Sequence, residues 1–492
     1  MKRFILTAIV LSMILVNVTA QNEGDALRYS YLKQVGTARF TALSGAFGAL
    51  GADFSTLSSN PAGIALYKRS ELTLSPDVYF GSSSSSYLGK TMEDGRNNFA
   101  VGNAGLILTM KPVDRLDRSE FKNFQFGFGV NRMADFNNRY IYEGVNSENS
   151  LLDAYLDYSG NKNPETLNSF DTRLAFDTYL IDTIPGQAQP TYVNAYSYLG
   201  GFSSALQRKS TESWGSVNEM VFSGGANLSD RFYFGLTFGF PFVRYYQRTT
   251  YTEYNQNTEK DLDHFSTFES LETHGSGFNL KIGTIVRATD WLRIGIAYHT
   301  PTWYNDLNDR YYTRMNSYFM TYVNGENSYY STSPDGEFNY DIKTPYRLIA
   351  SAAVIIGKIG LISADYEYLD YSNARLSPTT DFIEPNDVIK RNFKGSQNLR
   401  VGTEWNAGPV QFRGGYSYYG SPFESGVNDG QLSSYSGGIG FREKDFFVDA
   451  ALSYSKATLD DYMYGTDNIK VNAAEITREV YNFLITFGYR FD

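Results

Sequence analysis

An alternation of period two, sustained over segments of about twelve residues, constrains this chain more than any other feature. In Val480–Phe491 the odd positions are Tyr481, Phe483, Ile485, Phe487, Tyr489 and Phe491. The positions between them include Asn482, Thr486, Gly488 and Arg490. Arg231–Val243 repeats the pattern, with Phe232, Phe234, Leu236, Phe238, Phe240 and Phe242 on one face and Tyr233, Gly235, Thr237, Gly239 and Pro241 on the other. Leu399–Trp405 sets Leu399, Val401 and Trp405 against Arg400, Gly402 and Glu404. Successive side chains of a strand point to opposite faces, so each segment is a two-faced strand. These runs are longer than the five or six residues usual in a soluble sheet. A large secreted sandwich or propeller would also bury one such face, so the connections must decide.

Short links fall at Asn227–Arg231, Ala288–Trp291, Gly357–Ile359, Asn406–Pro409 and Arg442–Asp445. Between them come long polar stretches at Ser82–Asn98, Ala134–Ser213, Thr252–Lys260, Asn316–Gly336, Ser372–Lys394, Ser421–Leu432 and Thr458–Thr477, and one link of middling length at Met110–Glu120. Short turns at one end and long loops at the other are the pattern of an outer-membrane barrel. A propeller would repeat every 40–50 residues, and no such repeat is found. The segments number about fourteen, and an even count is expected of single-chain bacterial barrels. Tyrosines such as Tyr245, Tyr246, Tyr366, Tyr368, Tyr416 and Tyr418 crowd the strand ends, where an interfacial girdle would sit. The expected fold is all-β, a transmembrane antiparallel β-barrel of about 14 strands. Closure satisfies every backbone donor and acceptor within hydrocarbon, which an open sheet cannot do. A polar lumen and hydrophilic loops also account for a mean hydropathy of −0.36 beside 40 Tyr and 35 Phe.

Composition narrows the chemistry. No cysteine means no disulfide scaffold, thiol enzyme or iron–sulfur centre. A net charge of −10 argues against nucleic acid as a partner. Three histidines, His264, His274 and His299, leave little for a metal site, and no Ser/His/Asp spacing supports an enzyme. No cofactor or metal motif is present.

The N-terminus reads as an export signal over residues 1–20. Lys2 and Arg3 form a basic start, Phe4 to Val16 an apolar run, and Val18-Thr19-Ala20 a small-residue cleavage site. The run is too short for a membrane helix, and no 18-residue apolar stretch follows Gln21. Residues 21–69 do not alternate. They are rich in Ala and Gly, with Gly45, Gly48 and Gly51 at intervals of three, and end on Asn60-Pro61-Ala62-Gly63. Small residues permit close backbone packing and Asn-Pro marks a turn, so 21–69 is expected to be a compact plug inside a barrel formed by 70–492.

Here the sequence resembles a family. The run Ala42-Leu43-Ser44-Gly45-Ala46-Phe47-Gly48-Ala49, then Asp53 and Asn60-Pro61-Ala62-Gly63-Ile64-Ala65, is similar to the hatch of FadL/TodX-type outer-membrane transporters of hydrophobic compounds such as long-chain fatty acids and aromatic hydrocarbons. Thr344-Pro345-Tyr346-Arg347, Asp365-Tyr366-Glu367-Tyr368 and Leu399-Arg400-Val401-Gly402-Thr403-Glu404 also look like that family. The resemblance implies passive uptake of an apolar molecule through a hatch-gated barrel, with sideways exit through a gap at an inward kink of one strand. It makes Asn60, Pro61, Ala62 and Gly63 the hatch motif. The unusually long 134–213 loop departs from the pattern and leaves the ligand open.

Further site candidates follow. Gly127 and Gly129, inward on the third strand, fit a kink and lateral exit, or equally room for the hatch. In the long loop, Leu152, Tyr155, Leu156, Phe176, Tyr179 and Leu180 could line a capture site for acyl chains, or form only a small loop core. Arg347, Arg400 and Arg413 could anchor an acidic headgroup, or belong to a lumen salt-bridge network holding the plug. A haem-binding receptor, a diffusion porin and a structural barrel are the competing functions. Expected partners are a hydrophobic small molecule, outer-membrane lipid and lipopolysaccharide, and the barrel-assembly machinery during biogenesis.

Overall fold

One continuous antiparallel hydrogen-bond ladder runs around the chain and returns to its start. In the computed structural model, which describes residues 23–111, 120–198, 201–257, 261–466 and 468–492, the first strand pairs with the last, from Ser70 opposite Phe491 up to Ser86 opposite Glu475. The reading of residues 1–20 as an export signal lies outside the described residues.

Fourteen staves form the wall. They are β1 (Ser70–Tyr87), β2 (Lys90–Met110), β3 (Phe121–Asp135, continuing as Asn138–Asn146), β4 (Ala205–Leu228), β5 (Phe232–Asn255), β6 (Leu262–Arg287) and β7 (Leu292–His299, continuing as Trp303–Val323). Then come β8 (Gly336–Lys343, then Arg347–Ile356), β9 (Gly360–Asp370, then Arg375–Ser377), β10 (Gly395–Ala407), β11 (Val410–Tyr419), β12 (Leu432–Arg442), β13 (Phe446–Tyr462) and β14 (Ala473–Phe491). The alternation sorts as expected. Phe232, Phe234, Phe238 and Phe240 stand exposed on the outer wall, while Tyr233, Thr237 and Val243 are buried inside. A belt of exposed apolar side chains around a closed ladder is what hydrocarbon requires.

Several stretches expected to be loops are strand. Within 82–98 the ladder continues to Tyr87 opposite Lys90, leaving only Leu88 and Gly89 as the turn, both at positive φ. Within 134–213, Asn138–Asn146 pairs with Ala205–Ser213, and within 316–336 the wall carries an extra hairpin strand at Glu326–Thr332. The reason is physical. Above the membrane no face is turned to lipid, so the hydrophobic alternation stops while the backbone pairing goes on.

The hatch begins with α1 (Glu23–Ser30) higher in the lumen and fills the lower barrel with α2 (Ala38–Ala42), α3 (Thr56–Ser59) and a 3-10 turn at Pro61–Leu66. Its core is apolar and shared with the wall. Phe40, Leu43 and Phe47 pack toward Ala353, and Phe54, Leu57 and Ile64 toward Ile107 and Val221. The wall makes room with inward glycines: a Cβ at Gly235 would run into the Pro61 carbonyl, and one at Gly295 into the Gly48 carbonyl.

The rest of the 134–213 segment folds as a lid of α4 (Leu151–Ser159), α5 (Thr172–Asp177), a two-stranded ribbon (Ile181–Thr183 with Tyr192–Asn194) and α6 (Ala195–Tyr198). A seventh helix, α7 (Ile383–Asn392), lies in a later loop.

Candidate functional site

The hatch motif acts as a local clamp. Asn60 caps the 3-10 turn, its Oδ1 accepting from the Ala62 amide at 3.1 Å, while its Nδ2 donates to the Gly48 carbonyl at 2.6 Å. Pro61 opens the turn where its missing N–H costs nothing. At Gly63 a Cβ would lie 2.7 Å from Thr56 Cβ, so the motif's small residues let the two halves of the hatch touch. Asn60, Pro61, Ala62 and Gly63 are all buried, and none lines the cavity described next.

Charges and hydrogen bonds fix the hatch to the wall. Arg39 Nε donates to Glu404 Oε2 at 2.8 Å, and Arg413 bridges that carboxylate (2.6 Å) to Asp449 (2.6 Å). Asp365 Oδ2 accepts from the Phe47 and Gly48 amides at 3.0 and 2.9 Å. Ser58 Oγ donates to Glu219 at 2.7 Å, and Glu219 is paired with Lys281. Arg413 thus belongs to the network through Nε and Nη1, apart from the cavity.

Above the hatch body, α1 stands high in the lumen. Tyr29 packs edge-on to Phe136 (6.2 Å) and near Tyr304 (6.1 Å), and the Arg28 guanidinium lies 4.0 Å from the Tyr245 ring centre. A cavity of about 460 Å³ lies between α1 and the hatch, lined on the chain's N-terminal side by Arg28, Tyr31 to Val35, Phe40, Thr41 and Ser44. Six basic side chains line it against three carboxylates, Asp135, Glu219 and Glu367. Arg347 and Arg400 share Glu367, at 3.0 and 2.7 Å, so one positive charge of that trio is uncompensated. Lys33, in the linker between α1 and α2, is lowered to about 8 by burial, with the Arg478 charge adding to the effect.

The same cavity reaches an interruption in the wall. The β2–β3 ladder ends at Asn103 opposite Asn131, whereas β1–β2 pairing goes on to Lys90. At that level β3 dips inward. Asn131 to Ala134 are buried in succession, the β3–β4 register shifts between Arg132 and Ala134, and the strand breaks at Phe136 and Asn137. Met133, Ala134, Asp135 and Phe136 line the cavity. The hatch enters the break: the Val35 amide donates to the Arg132 carbonyl at 3.1 Å, and Gly36, at φ +71°, lies where a Cβ on Gly102 would be 2.9 Å from its carbonyl oxygen.

The interruption therefore sits above Gly127 and Gly129, which are regularly paired on both sides. Their role is to admit the hatch: a Cβ on Gly127 would lie 2.7 Å from Leu57, and one on Gly129 2.5 Å from Phe54. The loop candidates are placed in the lid core. Leu152, Tyr155 and Leu180 are buried, and Leu156, Phe176 and Tyr179 pack against the same cluster, beside Tyr142, Tyr251 and Phe265 of the wall. Of the six, Tyr155 alone lines the lid's own cavity of about 220 Å³. Of the basic candidates, Arg347 and Arg400 face the main cavity and Arg413 does not. Lys33, Arg132, Phe136 and Arg478 were not singled out from the sequence. The β3 register shift beside Arg132 and Phe136 leaves no mark in the residue pattern, whereas Gly36 could have flagged a close approach.

These features define a class: a membrane barrel closed by an internal hatch and interrupted in one wall. No family model matches the chain, and no curated protein matches it in sequence. Among solved structures, it is similar to a Pseudomonas aeruginosa FadL homologue (TM-score 0.54, 12% identity, 93% of this chain and 98% of that one). It is also similar to the Pseudomonas putida toluene transporter TodX (TM-score 0.52, 12% identity, 93% and 99%). The chain has the fold of the FadL/TodX-type transporters.

Proposed function

We propose that the chain is an outer-membrane channel for passive uptake of small hydrophobic molecules, and that it favours those carrying an acidic headgroup. The observation that carries this reading is the continuity of the lumen cavity with the break at Arg132–Asn137, into which the hatch backbone at Val35 is hydrogen-bonded beside side chains of the wall such as Tyr79 and Arg478. An apolar tail leaving there gains the bilayer directly, driven by the hydrophobic effect. The basic excess around Lys33, Arg347 and Arg400 suits a carboxylate, which a guanidinium binds bidentately. The fold shared with transporters of hydrophobic compounds supports the reading. Haem finds less support. His299 Nε2 donates to the Ser59 carbonyl at 2.7 Å, and His264 and His274 pair with Asp263 and Glu272 away from the cavity.

Barrel purified from its own membrane, extracted and compared by mass spectrometry with a detergent blank, should yield fatty acids or similar amphiphiles at near-stoichiometric amounts. Enriched haem or an empty barrel would defeat the reading. The route is tested by Gly36→Val. A branched side chain at that positive φ costs about 1–2 kcal/mol and crowds Ser55, whose Oγ lies 2.6 Å from the added Cβ. Uptake of a fluorescent fatty acid into proteoliposomes should fall about tenfold, with the barrel still heat-modifiable on gels. Unchanged uptake would exclude the break beside Gly36 as the route.

A further inference from the structure

The outer wall of the barrel is chemically lopsided. On β5 the outward series Phe232 to Phe242 gives way abruptly to Arg244, Tyr246, Arg248, Thr250, Thr252 and Tyr254. Register places Trp214 of β4 opposite Tyr246, Phe268 of β6 opposite Thr250, and Arg310 and Arg314 of β7 opposite Glu272 and Phe268. Arg244, Arg248, Arg310 and Arg314 are all exposed. The carboxylates nearest in register are Glu212, engaged by Arg96, Glu272, engaged by His274, and Glu337 opposite Arg310, which accepts from Asn308; among the described residues none of the four arginines forms an ion pair.

Two of the four arginines, Arg248 and Arg314, lie over aromatic rings. Trp214 stacks on Tyr246 at 5.3 Å with 8° between the planes, and the guanidinium groups of Arg96 and Arg248 each lie 5.0 Å from its centre. Arg314 lies 5.0 Å from Tyr312 and 5.9 Å from Phe268. Stacking orders a guanidinium while leaving its N–H edges free for a bidentate anion. Higher up, Tyr254, His264 and Tyr318 stack at 5.2 and 4.3 Å. Two residues of a tilted strand climb about 5 Å, so the arginines occupy the zone about 5–20 Å beyond the apolar edge, where headgroups begin. The opposite wall differs: its upper outward positions carry the pairs Tyr416–Tyr435 (5.1 Å) and Tyr454–Tyr481 (4.9 Å), and Lys456 is neutralised by Glu479 at 3.4 Å.

We propose that the outward face of β4 to β7 binds the phosphorylated saccharide headgroup of the outer-leaflet glycolipid, lipopolysaccharide. The four arginines would take the phosphates and the stacked rings the flat faces of the sugars. Unpaired basic charge on a chain of net charge −10 matches an anionic headgroup, and its height matches that of a lipid rather than a soluble partner. The inference rests on the outer-membrane reading given above.

The test compares full-length wild type with R244Q/R248Q/R310Q/R314Q, both extracted gently from native membranes after density-gradient separation. Glycolipid per chain is read by native mass spectrometry and on silver-stained gels. A Y416A/Y435A control marks the opposite wall. Wild type and control should retain about one glycolipid per chain, and the quadruple variant should lose it on the order of tenfold while staying heat-modifiable. Titration with dephosphorylated glycolipid should restore little. Equal retention by the quadruple variant, or equal loss in the control, overturns the site. A chain that sediments away from the outer membrane overturns the localisation itself. One that sediments with it yet holds no glycolipid overturns only this inference.

Discussion

The hatch below the cavity and the lid above it close the same lumen with different chemistry. Below, buried charges add to the apolar packing: Arg39, Glu404, Arg413 and Asp449 form a buried chain, and Asp365 and Glu219 hold further hatch groups. Above, the contacts are apolar and tyrosine-rich, with Leu152, Leu174 and Leu180 packed toward Tyr142, Tyr251 and Phe265. A buried wall carboxylate, Glu253, pins the start and end of the lid. Glu253 accepts from Ser150 Oγ (2.5 Å), Tyr196 Oη (2.8 Å), Gln207 Nε2 (3.2 Å) and the Leu151 amide (3.3 Å). Inside the bilayer belt water does not compete, so ion pairs there are stronger and more costly to break. The lid lies beyond the belt and relies on ordinary burial. The difference places any yielding part in neither cover, but in the linker 31–36. That linker is held mainly by Val35 on Arg132, Gln34 on the Ser55 carbonyl (2.9 Å) and Thr41 on the Val35 carbonyl (2.5 Å).

Three variants or conditions test that contrast, beginning with the largest effect. Glu404→Gln removes the carboxylate from Arg39 and one of the two carboxylates from Arg413, and should cost about 3–5 kcal/mol. The hatch should lose its hold, seen as larger single-channel conductance and easier heat modification. Wild-type conductance would mean that packing, not charge, holds the hatch. Glu253→Ala should cost about 1–3 kcal/mol by leaving several buried donors unmet. Its signature is faster proteolysis within 150–198 with conductance unchanged; a leaky channel would show that the two covers are coupled. The smallest effect is on pH. Lys33 titrates near 8, so raising pH from 7 to 9 removes a positive charge from the cavity. Affinity for a carboxylate ligand should fall about two- to fivefold over that range, consistent with an interaction of up to about 1 kcal/mol, while Lys33→Met should bind weakly at both values. A flat wild-type profile would remove Lys33 from the headgroup site.

Much of this was legible before any coordinates. The Phe232–Phe242 and Tyr481–Phe491 alternations declared lipid-facing strands because hydrocarbon demands apolar side chains at every second position. The glycines at 127 and 129, read from the sequence as either a kink or room for the hatch, lie where Leu57 and Phe54 come close. The real break at Arg132–Asn137 has no glycine and no proline, since a bulge needs only one extra residue. Inward charges such as Glu404 and Arg413 were recognisable as pairing candidates. That Arg39 of the hatch joins them depends on how the plug is seated.

By itself, the sequence determined the closed barrel, its stave count, and the separation of a small-residue plug from the wall. Period-two hydrophobicity and turn spacing are local, and a bilayer admits few structures that satisfy them. Only the tertiary structure decided how high the strands climb, where the wall opens, and which arginines face a cavity, a buried carboxylate or the outer leaflet. Those outcomes depend on register and on contacts between residues hundreds of positions apart, such as Arg39 with Glu404, which no local pattern records.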